Sequence, residues 1–247
     1  MYRLWLIMRS ALFWVLQIVN TLVMGAPVII CGLFSFRAGY YFAVLWNKIN
    51  IWGLRIICGV SWQVDGKENI PSTPCVVMAK HQSTWETYFL PTLFDPGVYV
   101  AKRSLLYIPI FGWALYVLRF IMIDRTSGRS AMSQMCEQAA DRLARRRWII
   151  VFPEGTRTPV GAEPNYRVGG AMIAHEVPSD VLPVALNAGE FWPRMGFIKW
   201  PGVITVSIGP VISSEGKKAS EILAQTQEWI EGRMQEITVE DRFPYRT

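Results

Sequence analysis

Histidine is scarce in this chain. Its 247 residues include only two, His81 and His175, far apart in sequence. Two distant imidazoles cannot build a typical zinc site, and there is no His-Glu-x-x-His pair. No Gly-x-Ser-x-Gly elbow is present, which removes the usual serine-hydrolase signature. The four cysteines (Cys31, Cys58, Cys75, Cys136) are scattered without a Cys-x-x-Cys pair. That excludes a disulfide framework or a zinc ribbon and fits a reducing, cytosol-facing compartment. Gly209–Lys217 has the wrong glycine spacing for a phosphate loop. Repeats, low-complexity tracts and long linkers are absent, as is the basic-aromatic strand pattern of RNA binders. No metal and no tightly held cofactor is expected.

Charge is also missing from one long segment. Ser10 to Phe36 is 27 residues without one charged side chain. At about 1.5 Å per residue a helix of that length reaches roughly 40 Å, enough for a bilayer core of about 30 Å. It is too long for a signal-peptide core. Pro27, after Gly25 and Ala26, predicts that the helix kinks or ends there. A second apolar stretch, Tyr40 to Trp62, carries Lys48 and Arg55 and reads as a helix lying at an interface. Five of eleven tryptophans fall in the first 62 residues, as headgroup-level anchors would. Arg3 and Arg9 precede the apolar run; Arg37, Lys48 and Arg55 follow it. Cations on both flanks favour a re-entrant pair of helices in one leaflet. A single span and a buried core helix remain the alternatives. The formal net charge of +6 suits nucleic acid or an anionic membrane. Hydrophobic content of 51% with a mean hydropathy of +0.23 selects the membrane.

Beyond residue 60 short Val- and Ile-rich runs alternate with helical patterns. Candidate strands are Trp62–Asp65, Cys75–Ala79, Gly97–Ala101, Ile121–Asp124, Trp148–Phe152, Val181–Leu186 and Val203–Ile208. Candidate helices are Ser83–Phe94, Ile110–Leu118, Arg129–Arg146, Val168–Val177 and Ala219–Glu236. Met132, Met135, Cys136, Ala139 and Leu143 draw one apolar stripe on the third of these. The alternation predicts an α/β domain with a largely parallel or mixed sheet flanked by helices. Residues 1–60 form the membrane-associating helices and 61–247 the α/β domain.

Two motifs lie just after strand-like runs, where open α/β sheets bind ligands. The first is Lys80-His81-Gln82-Ser83-Thr84-Trp85-Glu86. An imidazole there can serve as general base, with a carboxylate to hold its tautomer. On one helix, residues five apart lie about 140° apart, so the pair meets only if His81 precedes the helix and folds back. Ser83 to Glu86 also matches a capping box, which by itself is a structural role for Glu86. The second motif is Phe152-Pro153-Glu154-Gly155-Thr156-Arg157. Gly155 permits a tight turn and Arg157 can grip phosphate bidentately. Arg145-Arg146-Arg147 reads as a solvated helix terminus, and His175 as structural.

These residues resemble the glycerolipid acyltransferase family, specifically bacterial 1-acyl-sn-glycerol-3-phosphate acyltransferases. The resemblance covers roughly residues 60–210 in four blocks. They are His81 to Glu86; Lys102-Arg103-Ser104-Leu105 through Pro109, Gly112 and Ile123-Asp124-Arg125; Phe152 to Arg157; and Leu182-Pro183-Val184-Ala185. It implies His81 as base with Glu86 as partner, where the family usually carries Asp. It implies Lys102, Arg125 and Arg157 as ligands of the acceptor phosphate, with Glu154, Gly155 and Thr156 near the acceptor. The implied partners are acyl-carrier-protein or acyl-CoA as donor, lysophosphatidic acid as acceptor, and membrane lipid. The implied place is the cytoplasmic face of a bacterial inner membrane, monotopic or single-span. Rival readings are acylation of lyso-ornithine lipid or glycerol-3-phosphate, a thioesterase-like hydrolase, and a lipid-binding protein that has lost catalysis.

Overall fold

The computed structural model describes residues 1–124 and 128–239. Its centre is a seven-stranded sheet: β1 (Val60–Asp65), β2 (Val76–Ala79), β3 (Gly97–Lys102), β4 (Ile121–Ile123), β5 (Trp148–Val151), β6 (Val181–Leu186) and β7 (Gly202–Ile208). The spatial order is β1-β7-β6-β2-β5-β3-β4. All pairs are parallel except β6 with β7, which run antiparallel. Every expected strand is present, within two residues at its start.

The helices are α1 (Tyr2–Phe34), α2 (Phe36–Gly53), α3 (Trp85–Leu93), α4 (Phe111–Val117), α5 (Gly128–Ala144), α6 (Gly169–Glu176), α7 (Ala188–Phe191) and α8 (Ala219–Ile237). The central strands are apolar on both faces, as doubly covered parallel strands are. Val77 and Ala79 of β2 face a core completed by α1, α2 and α3; Val76 and Met78 face one completed by α5 and α6. The stripe on α5 packs as its spacing predicts, with Met135 and Ala139 fully inside the second core.

The amino-terminal helices depart from expectation. Pro27 sits within α1, which runs on to Phe34, and the chain turns at Ser35 instead. Proline removes one backbone donor, but packing holds the helix on both sides of it. Asn20 Nδ2 donates to the Trp46 carbonyl at 3.0 Å, Val28 is buried against Tyr40 and Val117, and Gly32 meets Gly39. A Cβ on Gly39 would come within 2.6 Å of the Gly32 Cα, so the two helices approach backbone to backbone. The stretch expected as one helix from Tyr40 to Trp62 is α2, a π-helical turn over Leu54–Cys58, and then β1.

Arg9 Nε donates to the Ile57 carbonyl, at the end of the amino-terminal segment. Contacts to the α/β domain begin at Ser10 and run along most of α1. Ser10 Oγ accepts from the Lys199 amide at 2.9 Å, and Phe13 meets Trp192 edge-on at 5.5 Å. Gln17 Nε2 donates to Tyr88 Oη at 2.9 Å, Gly25 lies against Ile110 and Gly32 against Val117. The opposite face is apolar and exposed from Leu4 through Leu12, Leu22 and Leu33.

Candidate active site

Strands β2 and β5 are parallel neighbours, so the segments leaving their carboxyl ends emerge side by side. His81 follows β2 and Phe152 follows β5, and the two rings stack at 3.8 Å with nearly parallel planes. The two motifs, about seventy residues apart in sequence, form one site.

His81 precedes α3 and folds back over its first turn, as the angular argument requires. Its Nδ1 lies 2.9 Å from Glu86 Oε1. The same oxygen accepts the backbone amides of Gln82 at 2.7 Å and Ser83 at 2.6 Å. Glu86 is therefore both cap and imidazole partner, with its side chain wholly buried. Only part of the expected capping box forms. The helix starts at Trp85, and Ser83 Oγ accepts from the Trp85 amide at 3.2 Å, one residue short of the box partner. With Nδ1 engaged, Nε2 is the nitrogen left to face a substrate.

Glu154 is buried behind the histidine. Its Oε2 accepts the His81 amide at 2.7 Å, and its Oε1 meets Lys80 Nζ at 3.0 Å and Thr158 Oγ1 at 2.8 Å. Burial pushes its carboxyl up, and the Lys80 ammonium, the Thr158 hydroxyl and the His81 amide oppose that shift. Thr158 also donates, through its amide at 2.8 Å and its hydroxyl at 3.1 Å, to the His81 carbonyl. Gly155 takes a left-handed φ of 69°, and its amide closes a turn on the Phe152 carbonyl at 2.9 Å. Thr156 is exposed. Arg157 is half-buried, with Nη1 donating to Thr84 Oγ1 at 2.7 Å. Lys102 ends β3 on the surface. Arg125 lies outside the described residues.

An apolar cavity of about 340 Å³ opens on this site. Met24 of α1, Val44 of α2 and Phe111 of α4 form part of its walls, and His81, Lys102 and Gly155 border it. The phenol of Tyr99, also in the wall, donates to the Glu86 and Thr87 carbonyls at 3.3 and 3.2 Å, and burial raises it well above the ordinary tyrosine value. Phe152 and Gly155 also border a smaller cavity of about 270 Å³ against α5 and α6. Among the described residues there is no cluster of His, Cys, Asp and Glu able to hold a metal ion.

Sequence reasoning missed Lys80, Thr84, Tyr99 and Thr158. A lysine beside the key histidine was the one available signal. One minor expectation also changes: Arg147 is not solvated but stacks on the Phe36 ring at 3.5 Å. His175 Nδ1 lies 3.0 Å from the Lys217 carbonyl, a contact within the fold.

The family model described as Acyltransferase matches residues 61–187. The chain belongs to the acyltransferase family. Among its relatives is a Pseudomonas aeruginosa protein named 1-acyl-sn-glycerol-3-phosphate acyltransferase, 42% identical over 235 residues, covering 93% of this chain and 91% of that protein. A Borreliella burgdorferi protein of the same name is 34% identical, covering 59% of this chain and 57% of its own. In fold the chain is similar to the 1-acyl-sn-glycerophosphate acyltransferase PlsC from Thermotoga maritima, with a TM-score of 0.78, 23% identity, and 96% and 97% of the two chains covered.

Proposed function

We propose that this protein transfers a fatty acyl group from a thioester to the 2-hydroxyl of 1-acyl-sn-glycerol-3-phosphate, giving phosphatidic acid. The carrying observation is the 2.9 Å contact between His81 Nδ1 and Glu86 at the edge of an apolar cavity. Glu86 holds the imidazole so that Nε2 can take the hydroxyl proton. The freed oxygen attacks the thioester carbon, a C–O bond forms, and the C–S bond breaks. The departing thiolate takes the proton back from the imidazolium. Ser83 in the first motif is buried and bound to the Trp85 amide, so it does not act as nucleophile. The apolar walls keep water from the base, which favours transfer over hydrolysis.

Lys102 at the cavity rim and Arg157 beside Thr84 supply cationic charge for the acceptor phosphate. Glu154 acts through the backbone of His81, since its oxygens are already engaged by the protein. The donor is acyl-carrier-protein or acyl-CoA, and the basic balance suits an acidic carrier or nucleotide.

Residues 1–60 serve as the lipid-facing element. Among the described residues α1 is the one helix long and apolar enough to cross a bilayer. Yet it touches the α/β domain from Ser10 to Gly32, so a spanning orientation would drag polar structure into hydrocarbon. The helix lies lengthwise in one leaflet with its bare face outward. Helix α4 extends that face with Phe111, Trp113 and Tyr116 exposed beside it. The cavity between α1, α2 and α4 then receives a chain sideways from the leaflet.

The test is purified protein given lysophosphatidic acid and a labelled acyl thioester. Label in phosphatidic acid is the expected result. Label only in free fatty acid sinks the transferase reading in favour of a hydrolase, and no turnover favours a binding protein.

A further inference from the structure

Lys80 is buried, and an ammonium out of water needs opposite charge close by. It has two carboxylates. One is Glu154 at 3.0 Å; the other is Glu231 at 2.7 Å, reaching in from α8. Tyr166 Oη donates to the same Glu231 oxygen at 2.7 Å. Neither Glu231 nor Tyr166 belongs to the sequence motifs. Glu154 then passes the constraint on, because its other oxygen receives the His81 amide. A continuous chain of charge-assisted bonds thus runs from α8 to the backbone of the base.

We propose that Glu231 and Lys80 are positioning residues that fix the His81 backbone through Glu154, so that helix α8 sets the aim of the imidazole. The inference rests on the acyl-transfer reading with His81 as base. One carboxylate would neutralise Lys80. The second, with Tyr166 on the same oxygen, fixes where the ammonium sits, which in turn fixes the Glu154 carboxylate. Charge-assisted bonds of this length are among the stronger ones in proteins. Misplacing a catalytic group by about 1 Å can cost on the order of 10²-fold in rate. Neither residue is expected to touch substrate.

Only two histidines are present, so protein labelled with 15N-histidine gives two histidine amide signals, and His175→Gln assigns them. Lys80→Met and Glu231→Gln are compared in detergent micelles with the full-length wild type. Glu231→Gln keeps an acceptor for Tyr166 and is the variant expected to fold even where Lys80→Met does not. Expected in Glu231→Gln is a moved His81 amide, an unmoved His175 amide and a kcat about tenfold lower. KM for both substrates and the melting temperature should stay put, and Glu231→Asp should restore part of the rate. An unmoved His81 amide overturns the proposal whatever the activity does. So does a moved amide with unchanged kcat, given that His81→Ala is inactive. If His81→Ala still transfers acyl groups, the general-base reading is what fails, and the amide shift still shows whether the chain of bonds reaches His81.

Discussion

Two buried lysines divide this molecule. Lys80, at the sheet's carboxyl edge, faces two carboxylates. Lys199, under α1, has its Nζ 4.2 Å from the centre of the Trp14 ring and 4.6 Å from that of Trp192, and it donates to the Gly196 and Phe197 carbonyls. Aromatic faces and carbonyls offset burial less fully than carboxylates do. Burial pushes the Lys199 ammonium down to about 7. The contrast follows location. On the proposed reading the polar side fixes a base in one place, so formal charges and short bonds suit it. The proposed lipid side joins an apolar helix to a domain, so indole rings suit it. Changes on the first side should alter turnover without altering attachment, and changes on the second should do the reverse.

The sharpest test of that division is His81→Ala. It should lower transfer by about 10²–10⁴-fold, a usual contribution of a general base, while vesicle binding in flotation stays as in the wild type. Retention of more than a third of the rate at matched protein ends the base assignment. Next in size is Glu86→Gln, which keeps acceptor capacity for the Gln82 and Ser83 amides but loses the charge that supports an imidazolium. Turnover should fall roughly tenfold or more with little change in melting temperature. A large thermal loss with proportionate turnover would make Glu86 a cap and nothing further.

Arg157→Lys should raise KM for lysophosphatidic acid by about tenfold and leave the donor KM alone, since one ammonium cannot reproduce a guanidinium fork. A donor-only defect moves Arg157 away from the acceptor. On the lipid side, Leu22→Glu places a carboxylate on the exposed face of α1. Vesicle binding should drop several-fold, with activity on a short-chain soluble acceptor retained. Equal loss on both acceptors would show that the two sides are not separable.

The smallest effect is expected from Lys199→Met. Its folded value of about 7 lies below the ordinary 10.5. Folding therefore disfavours the charged form. The penalty is complete below about pH 7 and fades as pH rises towards 10.5. The variant's gain in melting temperature over wild type should be largest near pH 6 and gone near pH 10. A constant difference across that range would mean that the indole rings compensate the burial in full.

The strands were readable because each is a short apolar run closed by polar or turn residues, and β2 and β5 needed no partner to be recognised. His81 and Glu86 were readable because five residues and a cap confine them to one turn. The bonds that place His81 were not. Lys80 and Glu231 are 151 residues apart, and no local pattern joins them. Glu154 was expected near the acceptor, but its bond to the His81 amide was not foreseen, since a sequence motif does not show which way a side chain turns. Pro27 misled for the opposite reason. Its local preference was real, but tertiary packing on both sides of it carried the helix through.

The proposed placement of the bare face of α1 in one leaflet has a consequence for membrane shape. A lysolipid, with one chain under its headgroup, is a wedge, and its two-chain product is closer to a cylinder. An enzyme lying in a single leaflet makes that exchange in that leaflet only. Each turnover then adds hydrocarbon to one side of the sheet and changes its preferred curvature there. Growth of a flat bilayer around such an enzyme requires a separate route that carries lipid to the opposite side.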